Sequence, residues 1–315
     1  MAAYNSIVIL GATATGKTKL AVQLATKLNG EIISVDSRQV FKGMDIGTGK
    51  DLNEYKNNGK PIPYHLIDLL SAGDRYHVDL FKTDFYRAFS DIIARGKLPI
   101  ICGGTGMYLH SILMHQPFTA VPVNETLRQE LFSLDIELLR LRFLNFKEDQ
   151  LIHTDLSSKK RLIRAIEIAD FLQNHQLPKI EFPNVEPVIF GLKTEVNQTR
   201  ASIKNRLESR LNNGLIAEVE QLLSKGISHE VLLFYGLEYK FVSKFLLGEL
   251  NIQELKTKLY TAICQYAKRQ NTFFRKMEKD GVHVHWLDAM LPINRLQDLV
   301  LKMVYHANII NQSID

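Results

Sequence analysis

Gly11-Ala-Thr-Ala-Thr-Gly-Lys-Thr18 follows the apolar run Ser6-Ile-Val-Ile-Leu10 and opens the helical pattern Lys19-Leu-Ala-Val-Gln-Leu-Ala-Thr-Lys-Leu28. A glycine-rich segment of this spacing between a strand and a helix is a phosphate-binding P-loop. Gly11 and Gly16 let the backbone curl until the amides of Ala12, Thr13, Ala14 and Thr15 point inward. Lys17 can then reach over the outer phosphates, and Thr18 can give its hydroxyl to Mg²⁺. The residues predict that the chain handles a polyphosphate. They leave open which ester it holds.

Around this motif, short apolar runs alternate with amphipathic helices, which predicts a P-loop NTPase-like α/β fold with a parallel sheet flanked by helices. The candidate strands are residues 6–10, 31–35, 64–68, 98–102, 188–192 and 282–287. Between the fourth and fifth, residues 118–182 are helical in period and too long for an ordinary crossover, so they are read as a helical insertion whose last helix returns to the core. The expected organisation is therefore a first core segment at 1–117, the insertion at 118–182, and completion of the core with C-terminal helices at 183–315.

The 315 residues are 45% hydrophobic and 23% charged, the composition of a globular protein with ample material for a core. No apolar stretch is long enough to span a bilayer, and the first ten residues lack a basic segment of the secretory type, so a cytoplasmic location without membrane association is expected. Cys102 and Cys264, in strand-like and helical contexts, read as small buried residues. A net charge of +5 and a pI near 9.0 permit a nucleic-acid partner without requiring one. The ten histidines show no metal-ligand spacing.

Ligands of open α/β sheets collect beyond the carboxyl ends of the strands. Three turns there are rich in chemistry: the P-loop, the segment from Asp36-Ser-Arg-Gln39 to Ile46-Gly-Thr-Gly-Lys50, and Gly103-Gly-Thr-Gly106. They predict one crevice holding the phosphate cradle, the Asp36 carboxylate, the hydroxyls of Ser37, Thr48 and Thr105, and the Gln39 amide.

With these motifs go His65-Leu-Ile-Asp-Leu69, Ile152-His153 with Asp155, Arg161-Leu-Ile-Arg-Ala-Ile-Glu167, the run from Arg206 to Val219, Ala267-Lys-Arg-Gln270 and Val284-His-Trp-Leu-Asp288. In this order the chain resembles the bacterial-type tRNA dimethylallyltransferases, or tRNA isopentenyltransferases, over most of its length. The resemblance implies transfer of a dimethylallyl group from dimethylallyl diphosphate to the exocyclic N6 amine of the adenosine just 3′ of the anticodon. The P-loop residues Gly11 to Thr18 would then hold the diphosphate leaving group, with Mg²⁺ on Thr18. Asp36 would be the general base, and Lys17 and Thr105 would complete the catalytic set.

The anticodon stem-loop would be met by Asp36, Ser37, Arg38, Gln39, Thr105, Arg128, Arg161, Arg164, Lys268 and Arg269, and the protein would act as a monomer. The family pattern has an arginine shortly before a Gly-Tyr-Lys-Glu-like run, whereas Leu232 to Lys240 carries none. Phe273 stands where the family commonly has tryptophan. Two alternatives share many of these residues: a P-loop small-molecule kinase, and a tRNA-binding relative with weakened catalysis.

Overall fold

The computed structural model describes residues 4–57, 59–114, 116–147, 152, 154–177 and 181–306. The chain divides into two compact units, Met1–Leu113 with Pro183–Asp315, and Met114–Phe182.

The larger unit is built on strands β1 (Ser6–Gly11), β2 (Gly30–Val35), β5 (Tyr64–His65), β6 (Leu98–Gly103), β7 (Pro187–Lys193) and β8 (His285–Asp288); a short antiparallel pair, β3 (Lys56–Asn57) with β4 (Lys60–Pro61), stands apart. The six strands form one parallel sheet in the order β5-β2-β6-β1-β7-β8. Strands buried on both faces need continuous apolar runs. Ile7, Val8, Ile9 and Leu10 are accordingly inaccessible to solvent, and in register Ile7 lies beside Ile100 on one side and Val188 on the other.

The helices of this unit are α1 (Lys17–Leu28), α2 (Val78–Ala94), α3 (Gly106–Leu113), α7 (Val196–Asn212), α8 (Leu215–Ser224), α9 (His229–Leu232), α10 (Leu237–Leu246), α11 (Ile252–Lys279) and α12 (Ile293–His306). In α1 the buried residues Leu20, Ala21, Leu24, Ala25 and Leu28 recur at helical spacing and turn one face to the sheet. The long α11 begins in a capping box, with Asn251 and Glu254 exchanging side-chain and backbone bonds. Its buried stripe is Leu255, Leu259, Ile263, Ala267, Gln270, Phe274 and Met277. Lys268 and Arg269 fall off that stripe and are exposed.

Two strand expectations change at their ends. The predicted strand over 64–68 pairs only through His65, because Leu66 and Asp68 take positive φ values of 64° and 57°. That turn carries Asp68 to Lys50. The last strand begins at His285 rather than at Val282.

Lys50 is a second lysine of the motif-bearing loops, and its side chain is wholly buried. Its ammonium donates to the Phe41 carbonyl at 2.6 Å, to Asp45 Oδ1 at 2.6 Å and to Asp68 Oδ1. All three ammonium hydrogens thus have acceptors within the fold. Glu218 of α8 holds the same loop from outside: its carboxylate accepts the amides of Asp45 (2.9 Å), Ile46 (2.7 Å) and Gly47 (3.0 Å) and the Tyr239 hydroxyl at 2.7 Å. The segment from Asp45 to Lys50 is therefore framework.

The smaller unit contains α4 (Glu125–Ser133), α5 (Ile136–Leu144) and α6 (Lys159–Asn174). Asn124 and Asp135 cap the first two through their side chains. Leu127, Leu131, Leu139, Phe143, Leu162, Ile163 and Ile166 make its own core. The last helix of the expected insertion, α6, belongs to this unit and packs on α4 and α5. At its centre the fully buried carboxylate of Glu167 accepts from Arg128 at 2.7 Å and lies 3.6 Å from Arg164.

Lys50→Met removes an ammonium from three acceptors and should lower stability by about 1–3 kcal/mol. Denaturant unfolding of the variant beside wild type measures this. An unchanged midpoint would show that Lys50 does not hold the loop.

Candidate active site

The carboxyl ends of β2, β6 and β1 are neighbours in the sheet, so the three turns that leave them meet. Between them and residues of α7, α10 and α11 lies a cavity of about 670 Å³ lined by Lys17, Thr18, Asp36, Ser37, Arg38 and Arg206, among others. All of its lining belongs to the larger unit.

The P-loop closes the end of β1. Gly16 caps α1 with φ 81°, a left-handed conformation that side chains with a Cβ disfavour. Lys17 folds back over its own loop and donates to the Ala12 carbonyl at 2.7 Å. Desolvation lowers its pKa to about 8, assisted by Arg206 and opposed by the negative charge of Asp36. The buried Cys102 thiol nearby is pushed up to about 12, so it stays protonated and takes no nucleophilic part. Thr13 accepts from the Arg206 guanidinium. Burial lowers Arg206 to about 10, leaving it cationic at neutral pH.

Asp36 begins the turn after β2. Its Oδ1 accepts the Arg38 amide at 2.8 Å and the Gln39 amide at 3.3 Å, which fixes the carboxylate at the cavity wall. Thr105, in the turn after β6, accepts the Ser37 amide on its hydroxyl at 3.2 Å and donates its own amide to Val35 at 3.3 Å. The two turns are thereby stitched together. Gln39, expected to face a base, is engaged at both ends of its amide: Oε1 accepts from Ser34 at 2.8 Å, and Nε2 donates to the Gly49 carbonyl at 2.9 Å. Thr48 likewise gives its hydroxyl to the Met44 carbonyl.

A buried glutamine completes the floor. Gln270 of α11 accepts the Thr13 amide at 2.9 Å and donates to the Gly104 carbonyl at 2.9 Å, joining the P-loop to the turn after β6. A Cβ on Gly104 would come within 2.5 Å of that same amide nitrogen, so a larger residue there would displace the Gln270 amide from this bond.

The comparisons with known proteins bear on this arrangement. A family model described as IPP transferase matches residues 39–277, and one described as isopentenyl transferase matches residues 4–60. The chain belongs to the IPP transferase family. Among curated relatives, a tRNA dimethylallyltransferase 2 of Porphyromonas gingivalis is 47% identical, covering 96% of this chain and 99% of its own length. A tRNA dimethylallyltransferase 1 of Geotalea uraniireducens is 48% identical over 90% of this chain and 93% of its own. The crystal structure of the full-length tRNA isopentenylpyrophosphate transferase from Bacillus halodurans superposes with a TM-score of 0.68 at 30% identity, covering 96% of this chain and 98% of that one. A eukaryotic dimethylallyltransferase acting on tRNA, at 21% identity and a TM-score of 0.75, shares the fold.

For this member of the family, the structure gathers part of the expected set in one cavity. Residues Thr13 to Thr18, Asp36, Ser37, Arg38, Gln39 and Arg269 line it. Lys268, beside them on α11, is exposed. Arg128, Arg161 and Arg164 belong to the other unit. There Arg161 is exposed and pairs with Asp155 at 2.9 Å, whereas Arg164 turns inward and donates to the Val121 carbonyl at 2.6 Å. The two, three apart on one helix, thus meet different surroundings. His153, part of the resemblance, lies outside the described residues.

Sequence reading passed over Arg206, Arg210 and Glu238 as site residues, yet all three line the cavity. Arg210 lies 3.5 Å from Glu238 and 3.7 Å from Asp51, so its charge is partly matched within the wall. For the two arginines the signal was their spacing of four in the run beginning at Arg206, which places both on one helix face.

The lowered pKa of Lys17 predicts a pH dependence of anion binding. Its ammonium is complete well below about pH 8 and is lost as pH rises through that value, so affinity for inorganic diphosphate should fall over the same range. Calorimetric titration of wild type against Lys17→Met separates this from titration of the ligand, since the variant retains only the latter. Parallel pH profiles in the two proteins would remove Lys17 from the cradle.

Proposed function

We propose that the chain transfers a dimethylallyl group from dimethylallyl diphosphate to the N6 amine of the adenosine 3′-adjacent to the anticodon in tRNA. The observation that carries this reading is the convergence of the P-loop, the Asp36 turn and the Thr105 turn on one cavity, with the cation of Lys17 and the carboxylate of Asp36 on its wall. Family membership and full-length relatives named tRNA dimethylallyltransferase support it.

In this reaction the bond from the allylic carbon to the diphosphate oxygen breaks, and a bond from N6 to that carbon forms. Negative charge grows on the leaving diphosphate, where the P-loop amides, Lys17 and Arg206 stabilise it. The adenine amine is a weak nucleophile because its lone pair is delocalised into the ring. Asp36 therefore accepts the N6 proton as attack proceeds. Ser37, on the cavity wall, faces the approach for a base turned out of its stack, and the Thr105 hydroxyl, not itself part of the lining, steadies it by accepting its amide.

Mg²⁺ suits the same cradle. Mg²⁺ bound together with a substrate diphosphate needs few protein groups, since phosphate oxygens and water fill the rest of its shell. Thr18, on the cavity wall beside Lys17, is the residue that would hold it. When bound, the ion would add neutralising charge to the diphosphate.

Lys268 and Arg269, exposed on α11, are assigned to RNA phosphates. Arg128 is recast: its pairing with Glu167 supports the smaller unit, and any RNA contact draws on the remaining face of its guanidinium. The compartment remains the cytoplasm in this reading; no described helix is long and apolar enough to cross a membrane.

Incubation with dimethylallyl diphosphate, Mg²⁺ and, in turn, unmodified tRNA, AMP and ATP should yield a mass gain of one dimethylallyl unit on tRNA alone. Phosphorylated product with ATP would support the kinase alternative. Asp36→Asn should reduce turnover by roughly 10²–10⁴-fold with tRNA affinity little changed. Near-normal turnover in that variant would exclude Asp36 as the base.

Replacing Lys268 and Arg269 by alanine should weaken tRNA binding and flatten its log–log salt dependence by somewhat under about one unit per lost phosphate contact. Dimethylallyl diphosphate affinity should stay level, because its phosphates sit in the P-loop. A salt titration of both ligands measures this, and an unaltered tRNA slope would place the RNA footprint elsewhere.

A further inference from the structure

Phe234 is the most exposed large apolar side chain of the described residues, at 73%. It stands on the cavity rim, in the turn between α9 and α10. Exposure of this size in a loose loop would mean little. This turn, however, is pinned on both sides.

Leu232 is wholly buried before it, and Tyr235 is 5% exposed after it. The Tyr235 hydroxyl accepts the Gly73 amide at 2.6 Å and donates to the Asp74 carbonyl at 2.8 Å, while its ring meets Phe41 edge-on at 4.6 Å. The Phe234 amide itself donates to Val231 at 3.1 Å. The backbone thus holds an aromatic ring outward at a fixed place, and the fold gains no burial from it. A partner that covers this ring removes its apolar surface from water and gains affinity by doing so.

We propose that Phe234 is a stacking platform for an unpaired RNA base next to the one that enters the cavity, and so a residue that sets RNA affinity. The proposal rests on the tRNA reading above. Two observations favour a base over the dimethylallyl chain. The chain is five carbons long and tied to a diphosphate in the P-loop, so a ring left 73% open to solvent at the rim is placed for a ligand that arrives from outside. The rim around it also carries the exposed cations Lys240 and Arg269 and the half-buried Arg38. Aromatic faces interleaved with phosphate-binding cations are the chemistry by which proteins hold single-stranded nucleic acid.

The test uses the full chain and an anticodon stem-loop RNA carrying 2-aminopurine at each position flanking the target adenosine. Stacking on an aromatic ring quenches this fluorophore. Wild type should quench at least one position; Phe234→Ala should abolish that quenching and weaken RNA binding by about ten-fold. Its KM for dimethylallyl diphosphate and its thermal midpoint should match wild type, because the ring is not part of the core. Phe234→Trp should restore both quenching and affinity.

RNA affinity and quenching unchanged in Phe234→Ala would overturn the platform. A raised KM for dimethylallyl diphosphate with unchanged RNA affinity would overturn it too, and would assign the ring to the prenyl chain. A wild-type protein that modifies no RNA would instead overturn the activity on which the proposal stands, and direct assay of wild type separates that failure from the other two.

Discussion

A single buried amide holds the site together. Gln270 accepts from the P-loop at Thr13 and donates to the turn after β6 at Gly104, so two loops that leave different strands keep one spacing. Unpaired, either end of that amide would leave a buried polar group without compensation, so its bonds and its burial depend on each other. Because Gln270 sits in the buried stripe of α11, the same contact fixes the rotation of a 28-residue helix and places Arg269 on the cavity wall. Phosphate cradle and basic helix are thereby parts of one rigid arrangement.

The charges around the cavity divide into those already matched and those left for a ligand. Lys50 is saturated by Phe41, Asp45 and Asp68, and Arg210 is faced by Glu238 and Asp51. Lys17 donates to a carbonyl of its own loop, and Arg206 to a hydroxyl of that loop. Both are lowered by desolvation, which outweighs the opposing pull of Asp36 on Lys17 and of Glu238, Asp51 and Glu54 on Arg206. An incoming anion would relieve that cost of desolvation. The P-loop is in this sense prepared for an anion, whereas Lys50, in an equally recognisable motif, serves the fold.

Framework and chemistry are interleaved at close quarters. Asp36 and Gln39 are three residues apart in one turn, yet the carboxylate lines the cavity with two amides steadying it, and the Gln39 amide ties that turn to Ser34 and Gly49. Thr105 joins the Asp36 turn to the turn after β6 through the Ser37 amide. The smaller unit repeats the pattern: Arg128 and Arg164 share the buried Glu167, while Arg161 on the same helix as Arg164 stays in solvent.

Local patterns in the sequence determined the strand–loop–helix at the P-loop, the parallel sheet and the three chemistry-bearing turns, because each is encoded by a few neighbouring residues: glycines for left-handed backbone, apolar runs for strands buried on both faces, and polar clusters where strands end. The family resemblance was legible for the same reason, in the order of those turns. What the tertiary structure decided was the assignment of individual polar side chains. Whether an arginine faces a ligand or a buried carboxylate depends on partners far along the chain, such as Glu167 for Arg128 or Glu238 for Arg210. Only packing brings those groups within hydrogen-bond reach, and sequence spacing carries no measure of that distance.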